Sequence, residues 1–252
     1  MNQALIIGND EYPDCPLRGC VNDAQAFGLS LSRLGVVLDS QQTILFNAKK
    51  HEILDGIELV VREAVPGDIA VIYYSGHGSY VKDEDGDEPD HRDECLVPID
   101  YDTAGMIIDD EISDILQGLS PGVILEIFMD SCFSGSVTRL PKKVRQRFLM
   151  PRNPVKSPGK ARPLFKAVTT LKKSNHVLWS ACRANQVSNE MEFGGIPRGA
   201  FTYAFLNILE GNSIKKRNVI VRDTMRSLRD LGLSQVPVLE CQKGQNTRCI
   251  FT

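Results

Sequence analysis

The stretch DIAVIYYSGHG, residues 68–78, decides the fold class of this chain. Its first seven residues are mainly β-branched or aromatic and end at Tyr74, a composition that predicts a buried strand. Gly76 and Gly78 then interrupt the strand on either side of His77. Because a strand that is apolar on both faces is typical of a parallel sheet covered by helices, this run favours an α/β fold.

The rest of the chain alternates between strand-like and helix-like segments. Further apolar strands are predicted at residues 4–7, 43–46, 123–129, 176–181 and 236–239. Amphipathic helices are predicted at residues 20–34, 50–65, 109–119, 200–209 and 219–231. This order predicts a single α/β domain over residues 1–252, with a mostly parallel central sheet of about six strands and helices on both faces.

The composition is that of an ordinary globular protein: 42% of the 252 residues are apolar and 24% are charged. No apolar run approaches the roughly 18 residues that a membrane-spanning helix needs. The first residues lack the basic and long apolar regions of a secretory signal. The seven cysteines form no CxxC pair, which favours reduced thiols. We therefore expect a cytoplasmic protein without a membrane partner.

Basic residues are concentrated in one part of the chain. Residues 131–189 contain no Asp or Glu but 13 of the 29 Lys and Arg residues. Five prolines interrupt residues 139–166, which predicts a long exposed loop between a larger part, residues 1–138, and a smaller part, residues 167–252. Because only Phe148 and Phe165 in this loop could stack on bases, nucleic-acid binding is not expected.

A second strand end carries a candidate nucleophile. The predicted strand at residues 123–129 is followed by DSCFSG, residues 130–135, which contains Cys132. Functional residues of parallel sheets collect at the carboxyl ends of strands, so His77 and Cys132 would face each other if the two strands are neighbours. A thiolate formed beside an imidazole can attack a carbonyl carbon, and backbone N–H groups near flanking glycines can hold the resulting oxyanion.

Other motif interpretations fail. The G-x-G at residues 76–78 lacks the third glycine of a dinucleotide-binding loop, and the sequence has no phosphate-binding GxxxxGK[ST] motif. The acidic residues 83–87 do not fit an EF-hand, whose first and last ligand positions would fall on Val81 and Arg92. No cysteine or histidine spacing indicates a structural zinc site.

Six motifs together resemble those of the metacaspases, the branch of the caspase-like cysteine peptidases found in bacteria, protists, fungi and plants. They are LRGCVNDA (17–24), YYSGHG (73–78), DECLVPID (93–100), DSCFSG (130–135), SACRANQ (180–186) and GAFTYAF (199–205). The similarity spans nearly the whole chain. It implies a caspase-like three-layer sandwich, in a minimal, prokaryotic-type form without a prodomain.

The resemblance implies a role for each motif residue at the strand ends. It makes His77 the general base and Cys132 the nucleophile, and we expect the backbone N–H groups of Gly78 and Cys132 to hold the oxyanion. The acidic pocket that takes Arg or Lys in this family corresponds to Cys20, Asp23, Ser75 and Asp130. A pair of carboxylates suits this purpose because it can bind a guanidinium through charge-assisted hydrogen bonds.

Calcium is a further expectation from the resemblance. Three aspartates match positions that bind calcium in the family: Asp93, Asp109 and Asp110. The fourth position, seven residues after the nucleophile, is occupied by Arg139 instead. A cation there would weaken or displace such a site, so calcium dependence stays open.

The basic loop contains candidate cleavage sites for a peptidase that cuts after Arg or Lys. Caspase relatives are commonly activated by cleavage between their larger and smaller parts, where this loop lies. The candidates are Lys142, Lys143, Arg145, Arg147 and Arg152. We expect cleavage here, by the protein itself or by an upstream activating protease, to regulate the activity.

The sequence thus predicts a monomeric cysteine endopeptidase whose partners are protein or peptide substrates with Arg or Lys before the scissile bond. One alternative is a catalytically silent caspase-like scaffold that acts by protein binding; the intact pair of His77 and Cys132 argues against it. Another is a peptidase that cuts after Asp. That enzyme would need a basic pocket, and Asp23 and Asp130 carry the wrong charge.

Overall fold

A six-stranded sheet forms the centre of the computed structural model, which describes residues 1–83, 91–133, 144–151, 175–210 and 215–252. The strands are β1 (Gln3–Gly8), β2 (Gln42–Phe46), β3 (Ile69–Ser75), β4 (Gly78–Lys82), β5 (Arg92–Leu96), β6 (Ile107–Ile108), β7 (Ile124–Asp130), β8 (Arg145–Gln146), β9 (Asn175–Ser180), β10 (Asn189–Phe193), β11 (Ile196–Gly199) and β12 (Val238–Cys241). The helices are α1 (Cys20–Arg33), α2 (Lys50–Glu63), α3 (Tyr101–Ala104), α4 (Asp109–Leu116), α5 (Ala200–Leu209) and α6 (Arg217–Asp230).

The central sheet has the strand order β12-β9-β7-β3-β1-β2. All neighbouring strands in it are parallel except β12, which runs antiparallel to β9. Helices cover both faces, so the prediction of a mostly parallel sheet of six strands in a caspase-like α/β fold is confirmed. Within the described part of the chain, no helix is both long and apolar enough to cross a membrane.

The two faces of the sheet bury separate apolar clusters because successive side chains of a strand point to opposite sides. On one face, the rings of Tyr73 and Phe128 pack with apolar residues of α1, α5 and α6. On the other, Ile72 and Leu125 pack with apolar residues of α2 and α4. Both layers of helices therefore hold β3 and β7 rigidly at the centre of the sheet.

Two small antiparallel sheets flank the centre, with the orders β4-β5-β6 and β11-β10-β8. They were not predicted, because strands of two to five residues carry too little periodicity to be recognised. The first begins at Gly78, directly after the interruption around His77. Both small sheets lie beside the carboxyl ends of β3 and β7, where the candidate residues are.

The prediction of an exposed loop over residues 139–166 is wrong for part of the segment 144–151, although Arg145 and Met150 in it are exposed. Arg145 and Gln146 form a strand paired with β10, and Arg147 is completely buried. Two features explain the difference. Pro141 and Pro151 flank a proline-free stretch that can form an extended strand, and buried carboxylates from other elements compensate the charge of Arg147. The rest of this loop lies outside the described residues, together with Arg139, Lys142, Lys143 and Arg152.

Candidate active site

His77 and Cys132 follow the ends of two neighbouring strands. β3 and β7 are paired in parallel, with Ser75 opposite Asp130, so the two chains leave the sheet side by side. Both His77 and Cys132 are completely buried. The structure therefore brings the two candidate catalytic residues to the same edge of the sheet.

The imidazole of His77 is oriented by main-chain and aromatic contacts. Its Nε2 lies 2.7 Å from the carbonyl oxygen of Cys15, and its ring packs against Tyr12 at 4.6 Å between centroids. Nε2 therefore carries the proton that is donated to this oxygen, which leaves Nδ1 as the basic nitrogen. Nδ1 makes no well-aligned hydrogen bond to any described residue.

Burial sets the protonation state of His77. Removal from water disfavours the imidazolium and outweighs the carbonyl oxygens of Cys15 and Arg147, which favour it, so the pKa of His77 falls to about 4. The ring is consequently neutral near pH 7 and able to accept a proton. The contact with Cys15 was not predicted, because a backbone carbonyl has no sequence signature.

The thiol of Cys132 lies in a small apolar cluster with Cys182 and Val187. Its Sγ accepts a hydrogen bond from the backbone N–H of Ser188 at 3.0 Å, a contact that would also stabilise a thiolate. A glycine is required at position 78, because a Cβ there would overlap the carbonyl oxygen of Cys132. This close approach brings the backbone of β4 against the candidate nucleophile.

The acidic pocket contains the predicted residues Cys20, Asp23, Ser75 and Asp130, all of them completely buried. Burial raises the pKa of Asp23 to about 6; Arg147 opposes this shift and the neighbouring Asp130 adds to it. Burial likewise raises the pKa of the Cys20 thiol. The pocket is thus a buried cluster of acidic groups that needs a cation.

That cation is Arg147 of the same chain. Its Nη2 lies 2.7 Å from Oδ2 of Asp23 and 3.7 Å from Oε2 of Glu190. Its Nη1 lies 3.0 Å from Oδ2 of Asp130 and donates a hydrogen bond to Oγ of Ser75 at 2.7 Å. Burial of an arginine is tolerated only with such compensation, and the carboxylates keep the pKa of Arg147 above its usual value although burial opposes them.

The backbone of Arg147 is held as firmly as its side chain. Its carbonyl oxygen accepts hydrogen bonds from the N–H groups of Gly78 at 3.1 Å and Cys132 at 3.2 Å. Its own N–H donates to the carbonyl oxygen of Ser188 at 3.1 Å. The two preceding residues pair with β10 as an antiparallel strand. The segment of residues 144–151 therefore lies across the site. It places the carbonyl group of Arg147 between the N–H groups of Gly78 and Cys132, beside the candidate nucleophilic thiol.

Several residues that were not predicted complete the pocket. Thr202 donates to Oδ2 of Asp130 through its hydroxyl at 2.6 Å, and Ser188 donates to Oδ1 at 2.6 Å. Arg198 donates to Oδ1 of Asp23 at 2.6 Å. Ser188 lies just after the motif SACRANQ, and Thr202 lies within the motif GAFTYAF. The family motifs therefore included or adjoined both residues, but no role was assigned to them. These contacts join the smaller part to the larger one at the site.

The three candidate calcium ligands lie on adjoining elements. Asp93 is in β5, while Asp109 and Asp110 begin α4 directly after β6, and β5 pairs with β6 through Cys95 and Ile108. Carboxylate oxygens are the donors that Ca²⁺ prefers. Their oxygens do not meet as a set, however: within the described ranges, the one group of three potential ligand atoms within 4.8 Å of one another is Asp10, Cys20 and Glu190.

The carboxylates of Asp10 and Glu190 have a structural role. The carboxylate of Asp10 accepts hydrogen bonds from the backbone N–H groups of Cys20 and Val21, and Glu190 accepts one from Gly19 at 2.9 Å. These N–H groups are the unpaired donors at the start of α1. The two carboxylates therefore cap the helix that carries Asp23.

Comparison with known proteins identifies the family. The sequence profile described as "Metacaspase, peptidase C14 domain" matches residues 2–141. Metacaspase-1 of Ajellomyces capsulatus is 32% identical over 99% of this chain and 82% of its own length. Metacaspase-1A of Aspergillus fumigatus is 30% identical over 99% of this chain and 70% of its own length.

A solved structure shares the fold. The crystal structure of a protein from Geobacter sulfurreducens matches the whole chain and 98% of its own, with a TM-score of 0.72 and 23% identity. At that identity the likeness concerns the fold alone. Together with the sequence relatives it leads to one conclusion: the chain belongs to the metacaspases, cysteine peptidases of family C14 with a caspase-like α/β fold.

Proposed function

We propose that this metacaspase is an endopeptidase that cleaves protein and peptide chains after Arg or Lys, with His77 as base and Cys132 as nucleophile. The observation that carries the proposal is the position of Arg147. Its guanidinium fills the acidic pocket, and its carbonyl group lies between the N–H groups of Gly78 and Cys132. This is how a substrate would have to lie for attack at the bond after an arginine.

The chemistry follows from these positions. Nδ1 of His77 takes the proton of the Cys132 thiol, and the thiolate attacks the carbonyl carbon after the basic residue. The carbonyl oxygen becomes an oxyanion that accepts hydrogen bonds from Gly78 and Cys132. The intermediate then collapses: the C–N bond breaks, and the imidazolium gives its proton to the leaving amine. Water hydrolyses the remaining thioester and restores the thiol.

The pocket favours arginine over lysine. A guanidinium can contact both Asp23 and Asp130 at once through two nitrogens, as Arg147 does. The ammonium group of lysine is a single point charge and would satisfy fewer of these acceptors. We infer that lysine is accepted but cleaved more slowly.

We further propose that cleavage between residues 139 and 166 regulates the enzyme, and that the bond cut is the one after Arg147. Of the candidate sites, Arg145 also lies among the described residues, but its side chain is exposed and donates to the carbonyl oxygen of Pro16. While the bond is intact, the segment excludes other peptides from the pocket. Cleavage, by the chain itself or by an upstream protease, would release it.

We also propose that the enzyme acts as a monomer and that calcium bound near Asp93, Asp109 and Asp110 supports its activity. The residues fit the chemistry of the ion, since all three offer carboxylate oxygens. To coordinate one ion, the carboxylate oxygens of these three residues would have to come closer together than they lie in the structure.

Matched fluorogenic peptides that end in Arg, Lys or Asp test the proposed function. Wild-type protein and Cys132→Ala would be assayed with calcium and with a chelator. Hydrolysis after Arg and more slowly after Lys, absent in Cys132→Ala, is the expected result. Cleavage after Asp would contradict the pocket assignment. Silence with every peptide, persisting after a trace of trypsin has nicked the segment, would favour the alternative of a protein-binding scaffold.

A further inference from the structure

Phe148 and Leu149, the two residues after Arg147, also make defined contacts with the protein. We propose that the enzyme selects substrates with a bulky apolar residue at each of the first two positions after the scissile bond. This inference rests on the proposed function, because it treats residues 144–151 as a substrate bound in place. It adds a second specificity determinant, on the leaving side of the bond.

Phe148 lies on an apolar surface next to the nucleophile. Its side chain packs against the cluster of Cys132, Cys182 and Val187. Its ring stacks on that of Tyr80, with 6.1 Å between centroids and 26° between planes. The ring of Tyr80 also contacts Arg92, whose guanidinium carbon lies 4.0 Å from the ring centroid. An aromatic residue at this position therefore finds a rigid partner.

Leu149 is held through both its backbone and its side chain. Its N–H donates to the carbonyl oxygen of Gly78 at 2.9 Å, and its carbonyl oxygen accepts a hydrogen bond from the buried hydroxyl of Ser79 at 2.8 Å. The side chain is partly buried and packs against the apolar cluster that contains Leu17 and Val97. Beyond it lies an open cavity of about 540 Å³, which leaves room for a larger side chain; its lining is mixed, with Tyr80, Tyr101 and Met106 beside the charged residues Asp14, Lys82 and Asp102.

Any substrate would meet the same contacts. The attacked carbonyl must lie between the N–H groups of Gly78 and Cys132, which fixes the plane of the peptide bond after it. The next residues must then run along the start of β4, where Gly78 and Ser79 offer their hydrogen bonds. Apolar side chains there would be favoured by burial against the clusters around Cys182 and Leu17, whereas a polar side chain would gain no such burial.

Internally quenched peptides test the inference. The reference peptide is Val-Ala-Gln-Arg-Phe-Leu-Met, which reproduces residues 144–150 with a single basic residue left. Two further peptides carry Ser in place of Phe or in place of Leu. They would be assayed with the wild-type chain and with Arg147→Gln, whose pocket is no longer filled by its own arginine. We expect kcat/KM to fall about tenfold or more for each Ser peptide.

Variants of Tyr80 assign the effect to its ring. In Tyr80→Ala, the ratio of kcat/KM between the Phe and Ser peptides should shrink towards one, whereas Tyr80→Phe should keep it. Because the ratio is measured within one protein, a loss of folded enzyme affects both peptides alike. A ratio unchanged in Tyr80→Ala would overturn the proposed role of this residue.

An acyl-arginine ethyl ester separates this inference from the proposed function, because it has no residue after the arginine. If wild-type or Arg147→Gln protein hydrolyses the ester, Cys132→Ala does not, and the three peptides are cut within about twofold of one another, the apolar selection is refuted and the peptidase stands. If neither the ester nor any peptide is hydrolysed, the proposed function itself fails.

Discussion

The carbonyl oxygen of Arg147 lies 3.2 Å from the backbone nitrogen of Cys132, the residue that carries the candidate nucleophilic thiol. A peptide carbonyl in this position is polarised by the same N–H group that would stabilise the negative charge formed on attack. The guanidinium of the same residue neutralises the carboxylates of the pocket. Arg147 therefore occupies both the acidic pocket, with its guanidinium, and the position between the two N–H donors, with its carbonyl group.

The first prediction concerns the bond that is cut. Incubation of the wild-type chain should yield fragments of residues 1–147 and 148–252, identified by intact mass and terminal sequencing. Arg147→Gln should abolish this cut because Gln carries no charge for the pocket, and Arg147→Lys should slow it. In Arg145→Gln, the matched control, the cut should stay after residue 147. Fragments that persist in Cys132→Ala would indicate another protease as the agent.

The second prediction concerns pH. The pKa of Asp23 is raised to about 6, so this carboxyl becomes neutral as the pH falls through that value, and binding of an arginine should weaken. The pKa of His77 is lowered to about 4, so the base stays neutral down to that pH. The value for Asp23 applies with Arg147 in the pocket, where the charge of Arg147 lowers it. Once Arg147 has left, KM for an arginine peptide should therefore rise as the pH falls through about 6 or above, whereas kcat should decline only nearer pH 4.

Asp23→Asn provides the control for this pH profile. Without a titrating carboxyl at position 23, the rise in KM near pH 6 should disappear, although KM itself should be higher throughout. A profile in which kcat and KM change together at pH 6 in both proteins would assign the titration to another group.

The third prediction concerns calcium. If Asp93, Asp109 and Asp110 bind the ion, a chelator should lower peptide hydrolysis and Asp93→Asn should raise the calcium concentration needed for half-maximal rate, because a carboxylate ligand is lost. Asp102→Asn, an exposed aspartate of α3, is the matched control and should leave that concentration unchanged. Equal activity with calcium and with chelator would remove the metal from the mechanism.

The fourth prediction concerns stability away from the site. Arg217 is completely buried and its Nε donates to Glu126 at 3.0 Å, while the indole of Trp179 donates to the same carboxylate at 2.6 Å. Arg217→Met would leave Glu126 buried without its cation. The free energy of unfolding should fall by about 3–5 kcal/mol.

Urea denaturation measures this change. Arg222→Met, which removes an exposed arginine paired with Asp223 on the same helix, serves as the control. Its effect should be close to zero, since water screens an exposed ion pair. A loss for Arg217→Met no larger than that of the control would show that Glu126 is protonated or hydrated in the folded protein.

The central architecture could be predicted from the sequence because its elements are long and strongly patterned. The run from Ile69 to Tyr74 is apolar on both faces, and the stretch that begins at Cys20 repeats its apolar residues with helical spacing. Each pattern is local, so it needs no knowledge of the neighbouring elements. The motifs around His77 and Cys132 were recognisable for the same reason.

Contacts between residues far apart in the chain decided how the candidate site is assembled. The carbonyl of Cys15 that orients His77, the support of Asp130 by Thr202, and the pairing of β8 with β10 join residues far apart in the chain. A pairing of this kind leaves no periodic trace in either partner. The resemblance pointed to the pocket residues, but it attached no role to the residues that hold them, such as Thr202 and Ser188.

The sequence by itself determined the α/β fold class, the two strand ends and the family motifs, since these depend on local apolar periodicity and on short runs of residues. Only the tertiary structure decided that Arg147 leaves the predicted loop and enters the pocket. A surface position is the default for an arginine, because its desolvation is costly. Here Asp23, Asp130 and Glu190, brought from three separate elements, supply the charge that makes burial favourable.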